Sequence, residues 1–243
     1  MNYKNKKILI TGATGMLGKT LSDQIPEADT LGGRSDLDLS NPEIWNVMKS
    51  MDSYDYIIHT AAYTNMDMNE NNPVRAHHLH CGVVKYLQLL SDKVIYVSAQ
   101  GRDLGGVYFK SKLDGEKSTL SREGDLVIRT NIVGKGGLSQ WALRELKLGR
   151  SINGYTNSIF NPVHVNQLSE FIKQNLELTG VVNVCSEDVI SKYDFINKLA
   201  DLYGYNKGLV FSKKLYETQD LTINEEDNIT FKYSLPYEDV LYS

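Results

Sequence analysis

The chain has 243 residues, with 26 Lys+Arg against 30 Asp+Glu and a formal net charge of −4. Hydrophobic residues at 41% and charged residues at 23% are ordinary globular proportions: they exclude wholesale disorder and suffice for a sizeable core. The mild acidity argues against a nucleic-acid or anionic-membrane binder, since each needs a basic face. Cys81 and Cys185 are too few for a zinc site and do not read as a disulfide framework, so a reducing cytoplasm is the expected compartment. The basic start followed by Ile8-Leu9-Ile10 is too short in its apolar run for a signal peptide. No stretch approaches the roughly 18 apolar residues of a membrane span.

In chain order, Lys7 to Thr11 reads as a buried strand ending in a glycine turn, and Gly15 to Ile25 as a helix stopped by Pro26. A weak strand at Thr30-Leu31-Gly32 follows. Asn41-Pro42-Glu43 is a helix start, with Asn41 as cap, Pro42 in the first turn and Glu43 at the positive end of the dipole. Tyr56 to His59 is a third strand, Val74 to Leu90 a long helix after Pro73, and Val94 to Val97 a fourth strand. Tyr108 to Leu120 is a helix, and Leu126 to Arg129 a fifth strand. This alternation predicts an α/β fold, a Rossmann-like doubly wound parallel sheet with right-handed crossovers.

The later part alternates less regularly: a helix over Leu138–Leu148, a short strand at 162–165, a helix from Gln167 to Leu176, a strand over Val181–Val184 and a helix over Ser191–Tyr203. Strand-like pieces and a charged loop around Glu225-Glu226-Asp227 end the chain. We expect residues 1–135 plus about 162–184 to form the nucleotide-binding domain. Residues 136–161 plus 185–243 would form a small C-terminal α/β substrate lobe.

The most informative segment is Thr11-Gly12-Ala13-Thr14-Gly15-Met16-Leu17-Gly18, between a strand and a helix near the N-terminus. A GxxGxxG string alone is weak, and a glycine-rich turn can exist without a ligand; here the flanking elements supply the context. Gly12 suits the sharp turn, Gly15 the close approach of a pyrophosphate, and Gly18 tight helix–strand packing. The helix start would offer free N–H groups and positive potential. After the second strand the chain reads Gly32-Gly33-Arg34-Ser35. A cation there suits the 2′-phosphate of NADP, whereas an acid would suit the ribose of NAD. NADP(H) is therefore favoured, with NAD(H) as the alternative.

These segments, with Asp38-Leu39-Ser40, Ala61-Ala62-Tyr63-Thr64-Asn65-Met66-Asp67, Tyr108-Phe109-Lys110-Ser111-Lys112, Gly180-Val181-Val182-Asn183-Val184 and Ile190-Ser191-Lys192-Tyr193-Asp194-Phe195, resemble the extended short-chain dehydrogenase/reductase superfamily. The likeness is greatest to the dTDP-4-dehydrorhamnose reductases and related sugar-nucleotide reductases, and it runs to about Tyr203. The resemblance implies a reductase of a nucleotide-linked 4-keto-6-deoxy sugar. Tyr108 and Lys112 would be its catalytic pair, with Lys112 lowering the phenol's pKa and holding the nicotinamide ribose. Thr11, Gly12, Thr14, Gly15, Met16, Leu17, Gly18 and Arg34 would line the cofactor, Asp38 and Leu39 its adenine, and Ala61, Ala62 and Tyr63 its border. Tyr108 and Lys112 lie four apart, so on a helix they share a face.

The chain departs from the family pattern in three places. The family sets a Ser or Thr after the fourth strand to hydrogen-bond the carbonyl, and in that register this chain has Ala99. Ser98 is then the candidate third catalytic residue, with the Gln100 amide as its alternative. The connection from Ser98 to Tyr108, including Arg102, is shorter than the family's substrate-covering loop; a diphosphate contact for Arg102 is a weaker reading than surface charge. His80 stands where relatives carry an asparagine.

Two other functions therefore stay open. One is a catalytically impaired NAD(P)-binding relative acting as a regulatory or scaffolding subunit. The other is a sugar-nucleotide epimerase or dehydratase. No metal is expected. His77, His78 and His80 lack accompanying ligands, and the calcium-like run from Asp67 lacks glycine at its sixth position and a terminal glutamate. Tyr63 and Tyr155 are candidate ring-stacking residues. The expected partner is a nucleotide-sugar substrate, with no nucleic acid and no membrane, and a homodimer through Val74–Leu90 and Tyr108–Leu120 is the family's habit.

Overall fold

The computed structural model describes residues 3–32, 37–101, 104–223 and 228–240. It divides the chain into two compact units, residues 1–129 with 169–182, and residues 130–168 with 183–243.

The first unit is built on parallel strands. β1 (Ile8–Thr11) is buried along its whole length, as an apolar run in the middle of a parallel sheet should be. α1 (Met16–Gln24) follows it, and β2 (Asp29–Leu31) pairs parallel with β1. Asn41 caps a short 3₁₀ turn over Pro42–Ile44, its side chain accepting from the Glu43 N–H, and α2 (Trp45–Met48) continues from it. β3 (Tyr54–His59) pairs with β1 on the side opposite β2, and β4 (Ser91–Ala99) with β3, both in parallel. β5 (Leu126–Thr130) lies next to β4, with the strand Gly180–Ser186 beyond it. The Rossmann-like sheet anticipated from the alternation is the one observed. One face of it packs Leu9, Ile57, Val94 and Val127 against Val83, Val84 and Leu87.

Between β3 and β4 the structure corrects the expected single helix over Val74–Leu90. α3 (Met66–Asn71) comes first, capped by Asn65, whose side chain accepts from the Met68 N–H. α4 (Pro73–His77) then runs into a π-helical turn, His78–Gly82, and α5 (Val84–Leu89) resumes after it. The π turn has a tertiary cause. The His80 carbonyl accepts from the Tyr96 hydroxyl at 2.8 Å, and its ring is held by two further partners. α6 (Val107–Thr119) packs onto this turn at Gly115, where an added Cβ would lie 2.1 Å from the His80 carbonyl oxygen.

In the second unit the helices Gly137–Lys147 and Lys192–Leu202 enclose a core of Ala142, Leu146, Ile152, Ile196, Ala200 and Val210. Ser191 caps the second of these helices, accepting from the Asp194 N–H. Short strands pair around them: Ile152–Tyr155 with Val210–Lys213, and Ser158–Phe160 with Ile190–Ser191 and Gln219–Leu221. Among the described residues no helix is long and apolar enough to cross a membrane.

Candidate active site

The turn after β1 has the form the glycines predict. Gly12 sits at φ +73°, and a Cβ there would come within 2.7 Å of the Ala61 backbone. At Gly18 a Cβ would lie 2.2 Å from the Gly12 carbonyl oxygen, so only glycine lets α1 start against this turn. Gly15 is the residue before α1, and among the described residues no side chain caps the helix's first N–H groups. Thr14 and Gly15 are exposed and Met16 is half-buried. Uncapped donors at the positive end of a helix, reached over exposed backbone, are what a pyrophosphate requires, so the turn fits a dinucleotide.

The other expected cofactor residues divide by exposure. The Leu17 and Leu39 side chains belong to the core. The Thr11 hydroxyl is fully buried, 2.8 Å from His59 Nδ1. These three can meet a ligand only through their backbone. Ala61, Ala62 and Tyr63 are half-buried, and the Ala61 backbone borders the glycine turn. Asp38 accepts from the Ser40 N–H and hydroxyl through one oxygen and pairs with Arg75 through the other. Arg34 and Arg102 lie outside the described residues.

Two buried histidines connect these loops. His59 Nε2 lies 3.2 Å from the Leu79 carbonyl, so it carries the proton and Nδ1 accepts from Thr11. His80 has the other tautomer. Its Nε2 accepts from the Tyr63 N–H at 3.0 Å, so Nδ1–H donates to Ser111 Oγ at 2.8 Å. Ser111 donates in turn to the Tyr108 carbonyl at 2.9 Å. The His80 and Tyr108 rings meet edge to face, with centroids 5.7 Å apart. Burial, aided by the Lys112 charge, pushes His59 down to about 3 and His80 down to about 2, so both are neutral. His80 thus supplies hydrogen bonds at the position where an asparagine was expected. His77 instead faces Asp114 at 3.5 Å, so the neighbouring histidines serve separate contacts.

Lys112 is buried, its ammonium donating to the Val97 carbonyl at 2.6 Å and lying 4.2 Å from the centroid of the Tyr96 ring. Burial pushes it down to about 7, against the opposing pull of Glu116. The expectation that Lys112 lowers the Tyr108 pKa meets a correction. Burial pushes the Tyr108 phenol up to about 12, while the ammonium is directed at Val97 and Tyr96. At neutral pH this phenol holds its proton and is an acid.

Ser98 is also placed differently from its expected use. Its hydroxyl donates to Glu116 Oε1 at 2.6 Å, and Glu116 is held by Arg129 through Nε and Nη2 in a buried ion pair. A hydroxyl has one proton, so Ser98 cannot donate to a carbonyl while this bond stands. Ala99 has nothing to donate. Gln100, half-buried just past β4, carries the remaining side-chain donor of this segment.

The family model described as the RmlD substrate binding domain matches residues 6–100. The dTDP-4-dehydrorhamnose reductase of Mycolicibacterium smegmatis is 26% identical over 221 residues, 78% of this chain and 67% of that protein. The crystal structure of the dTDP-4-dehydrorhamnose reductase of Bacillus anthracis in complex with NADP is similar, with a TM-score of 0.74 and 24% identity. That match covers 86% of this chain and 85% of that one. The corresponding Yersinia enterocolitica structure gives a TM-score of 0.76 at 22% identity over 97% of each chain. The chain is thus similar to the RmlD family over residues 6–100 and shares its fold with dTDP-4-dehydrorhamnose reductases over most of its length.

Proposed function

We propose that the protein is an NADP(H)-dependent reductase of a nucleotide-linked 4-keto-6-deoxy sugar. The observation that carries this reading is the uncapped start of α1, made accessible by Gly12, Gly15 and Gly18, after β1 of the sheet whose β4, near its end at Val97, accepts from Lys112. Bound NADPH supplies the hydride. The α1 N–H groups and the exposed backbone at Thr14 and Gly15 hold the pyrophosphate, and Ala61 to Tyr63 border the remainder.

Tyr108 gives its proton to the alkoxide that forms at the reduced carbonyl. A phenol held at about 12 is well protonated for donation and a poor base, which favours reduction over the proton abstraction that epimerisation and dehydration need. Lys112, protonated below about pH 7, adds positive charge on this side of the site and binds the nicotinamide ribose. Gln100, rather than Ser98, polarises the carbonyl. The NADP bound to the Bacillus anthracis relative supports the choice of cofactor, and the sugar nucleotide follows from the reductases the chain resembles.

A reducing cytoplasm suits two free cysteines, Cys81 and Cys185. A homodimer is the proposed assembly, since Val74, Leu89 and Leu120 leave apolar side chains exposed around α4, α5 and α6. NADPH oxidation followed at 340 nm across a panel of 4-keto sugar nucleotides tests the activity. We expect turnover with at least one of them, and a loss of about 10²–10⁴-fold in Tyr108→Phe. Saturable NADPH binding without turnover on the whole panel would favour the non-catalytic alternative.

A further inference from the structure

Arg75 has no role in any motif of the sequence, yet it ties together two loops at the edge where the proposed dinucleotide binds. In the sheet, β1 lies between β2 and β3, and all three strands are parallel. The glycine turn after β1, the segment 37–40 after β2 and the loop 60–65 after β3 therefore leave the same edge of the sheet. Ligands of such sheets lie in the crevice outside the carboxyl ends of the strands.

Arg75, from α4, reaches this edge. Its Nη2 pairs with Asp38 Oδ2, and its Nε donates to Ser40 Oγ at 3.1 Å. Ser40 Oγ also accepts from the Tyr63 hydroxyl at 2.7 Å and donates to Asp38 Oδ1 at 2.6 Å. The guanidinium is thus fixed in orientation by residues from both neighbouring loops. It remains accessible, with the side chain 48% exposed.

Asp38 lies seven residues beyond the end of β2, at the edge of the sheet where the adenosine of a dinucleotide would lie. Unpaired, such an acid would repel a 2′-phosphate. Paired with Arg75 its charge is offset, and Arg75 Nη1 makes no hydrogen bond among the described residues.

We infer that Arg75 is the residue that discriminates between the two coenzymes: it neutralises Asp38 and presents its guanidinium to the 2′-phosphate of the adenosine, so that the site takes NADP(H) over NAD(H). The inference rests on the dinucleotide reading above, and it names a residue the sequence assigned to no role. An arginine that meets phosphate through a directed, charge-assisted bond is worth about ten- to a hundredfold in affinity.

Binding to the full-length protein tests this without reference to turnover. Dissociation constants for NADPH, NADH, 2′,5′-ADP and 5′-ADP would be measured by calorimetry for the wild type, Arg75→Ala and Arg75→Gln. The glutamine keeps a donor for Ser40 should the alanine variant fold poorly. The expected result is tighter binding of NADPH than NADH, and of 2′,5′-ADP than 5′-ADP, by the wild type. Both preferences should shrink about ten- to a hundredfold in the variants, with NADH held as well as before or better because Asp38 is released. Adding Asp38→Asn to Arg75→Ala should return part of the lost NADPH affinity by removing the freed charge. Unchanged NADPH-to-NADH ratios in both variants, or a wild type that binds the two coenzymes equally, would overturn the assignment and leave the reductase reading standing. A wild type that binds neither coenzyme would overturn both.

Discussion

At the scale of single residues, the proposed reaction turns on which side chain of Ser98-Ala99-Gln100 would hold the substrate carbonyl. Ser98 donates its only hydroxyl proton to Glu116, inside a network that includes the buried Arg129. Removing that hydroxyl takes one donor from a buried carboxylate, which costs about 1–3 kcal/mol of stability and leaves the reaction centre unaltered. Gln100 has an amide to offer at the end of β4. The two substitutions should therefore separate. Ser98→Ala lowers the midpoint of urea unfolding with little change in kcat, whereas Gln100→Ala folds normally and loses about 10²-fold in kcat, the usual scale for a lost oxyanion donor. Steady-state kinetics beside unfolding curves check both, and the opposite pattern would return the role to Ser98. The position of Ser98 along the chain suggested a catalytic hydroxyl. Its use depends on Glu116, 18 residues further on, and no local pattern encodes that contact. The link between Arg75 and Asp38, separated by 37 residues, was hidden for the same reason.

At the scale of elements, much of the first unit was legible because its signals are local. The all-apolar β1, the glycine turn and the Asn41 cap each act within a few residues of themselves. α3 was missed although Asn65 and Asp67 form an ordinary helix start; the run of polar residues behind them hid it. The π turn at His78–Gly82 was not legible. Leu79, Val83, Val84 and Leu87 keep a helical spacing through it, and its cause lies on Tyr96 and α6.

Gly115 tests that packing with two effects of opposite sign. Alanine in a helix interior is favoured over glycine by about 1 kcal/mol. At Gly115, however, the new methyl would lie 2.1 Å from the His80 carbonyl oxygen and 2.3 Å from the Tyr96 hydroxyl. Neither can move without breaking the bond between them, so the clash should win, with a net loss of about 1–3 kcal/mol. Gly105→Ala, whose added carbon meets nothing within 4 Å, is the control. A stabilised Gly115→Ala in chemical denaturation would show that the turn yields easily.

For the molecule as a whole, the buried ionisable groups of the first unit set how stability depends on pH. His59 and His80 are held down to about 3 and about 2, whereas in the unfolded chain they take up protons near 6.5. Below that pH the unfolded state binds more protons, so stability falls as pH falls, by up to about 1.4 kcal/mol per pH unit for each histidine. Lys112, held down to about 7, acts over a higher window. Between pH 7 and about 10.4 the unfolded lysine is protonated and the folded one is not, so stability rises with pH there too. Above about 10 the trend reverses, because burial raises Tyr54, Tyr56, Tyr96 and Tyr108, and the unfolded tyrosines lose their protons first. The ligand-free protein should therefore be most stable near pH 9–10, above the range of about 5–8 usual for proteins. Urea unfolding from pH 5 to 10.5 reads this directly. Lys112→Met should flatten the rise between pH 7 and 10, and His80→Asn should reduce the slope below 6.5 while keeping a side chain able to bond Tyr63 and Ser111. A wild-type maximum at pH 6–7 with no slope above it would mean that Lys112 keeps its charge in the folded protein, and the ammonium over Tyr96 would then be a permanent cation beside Tyr108.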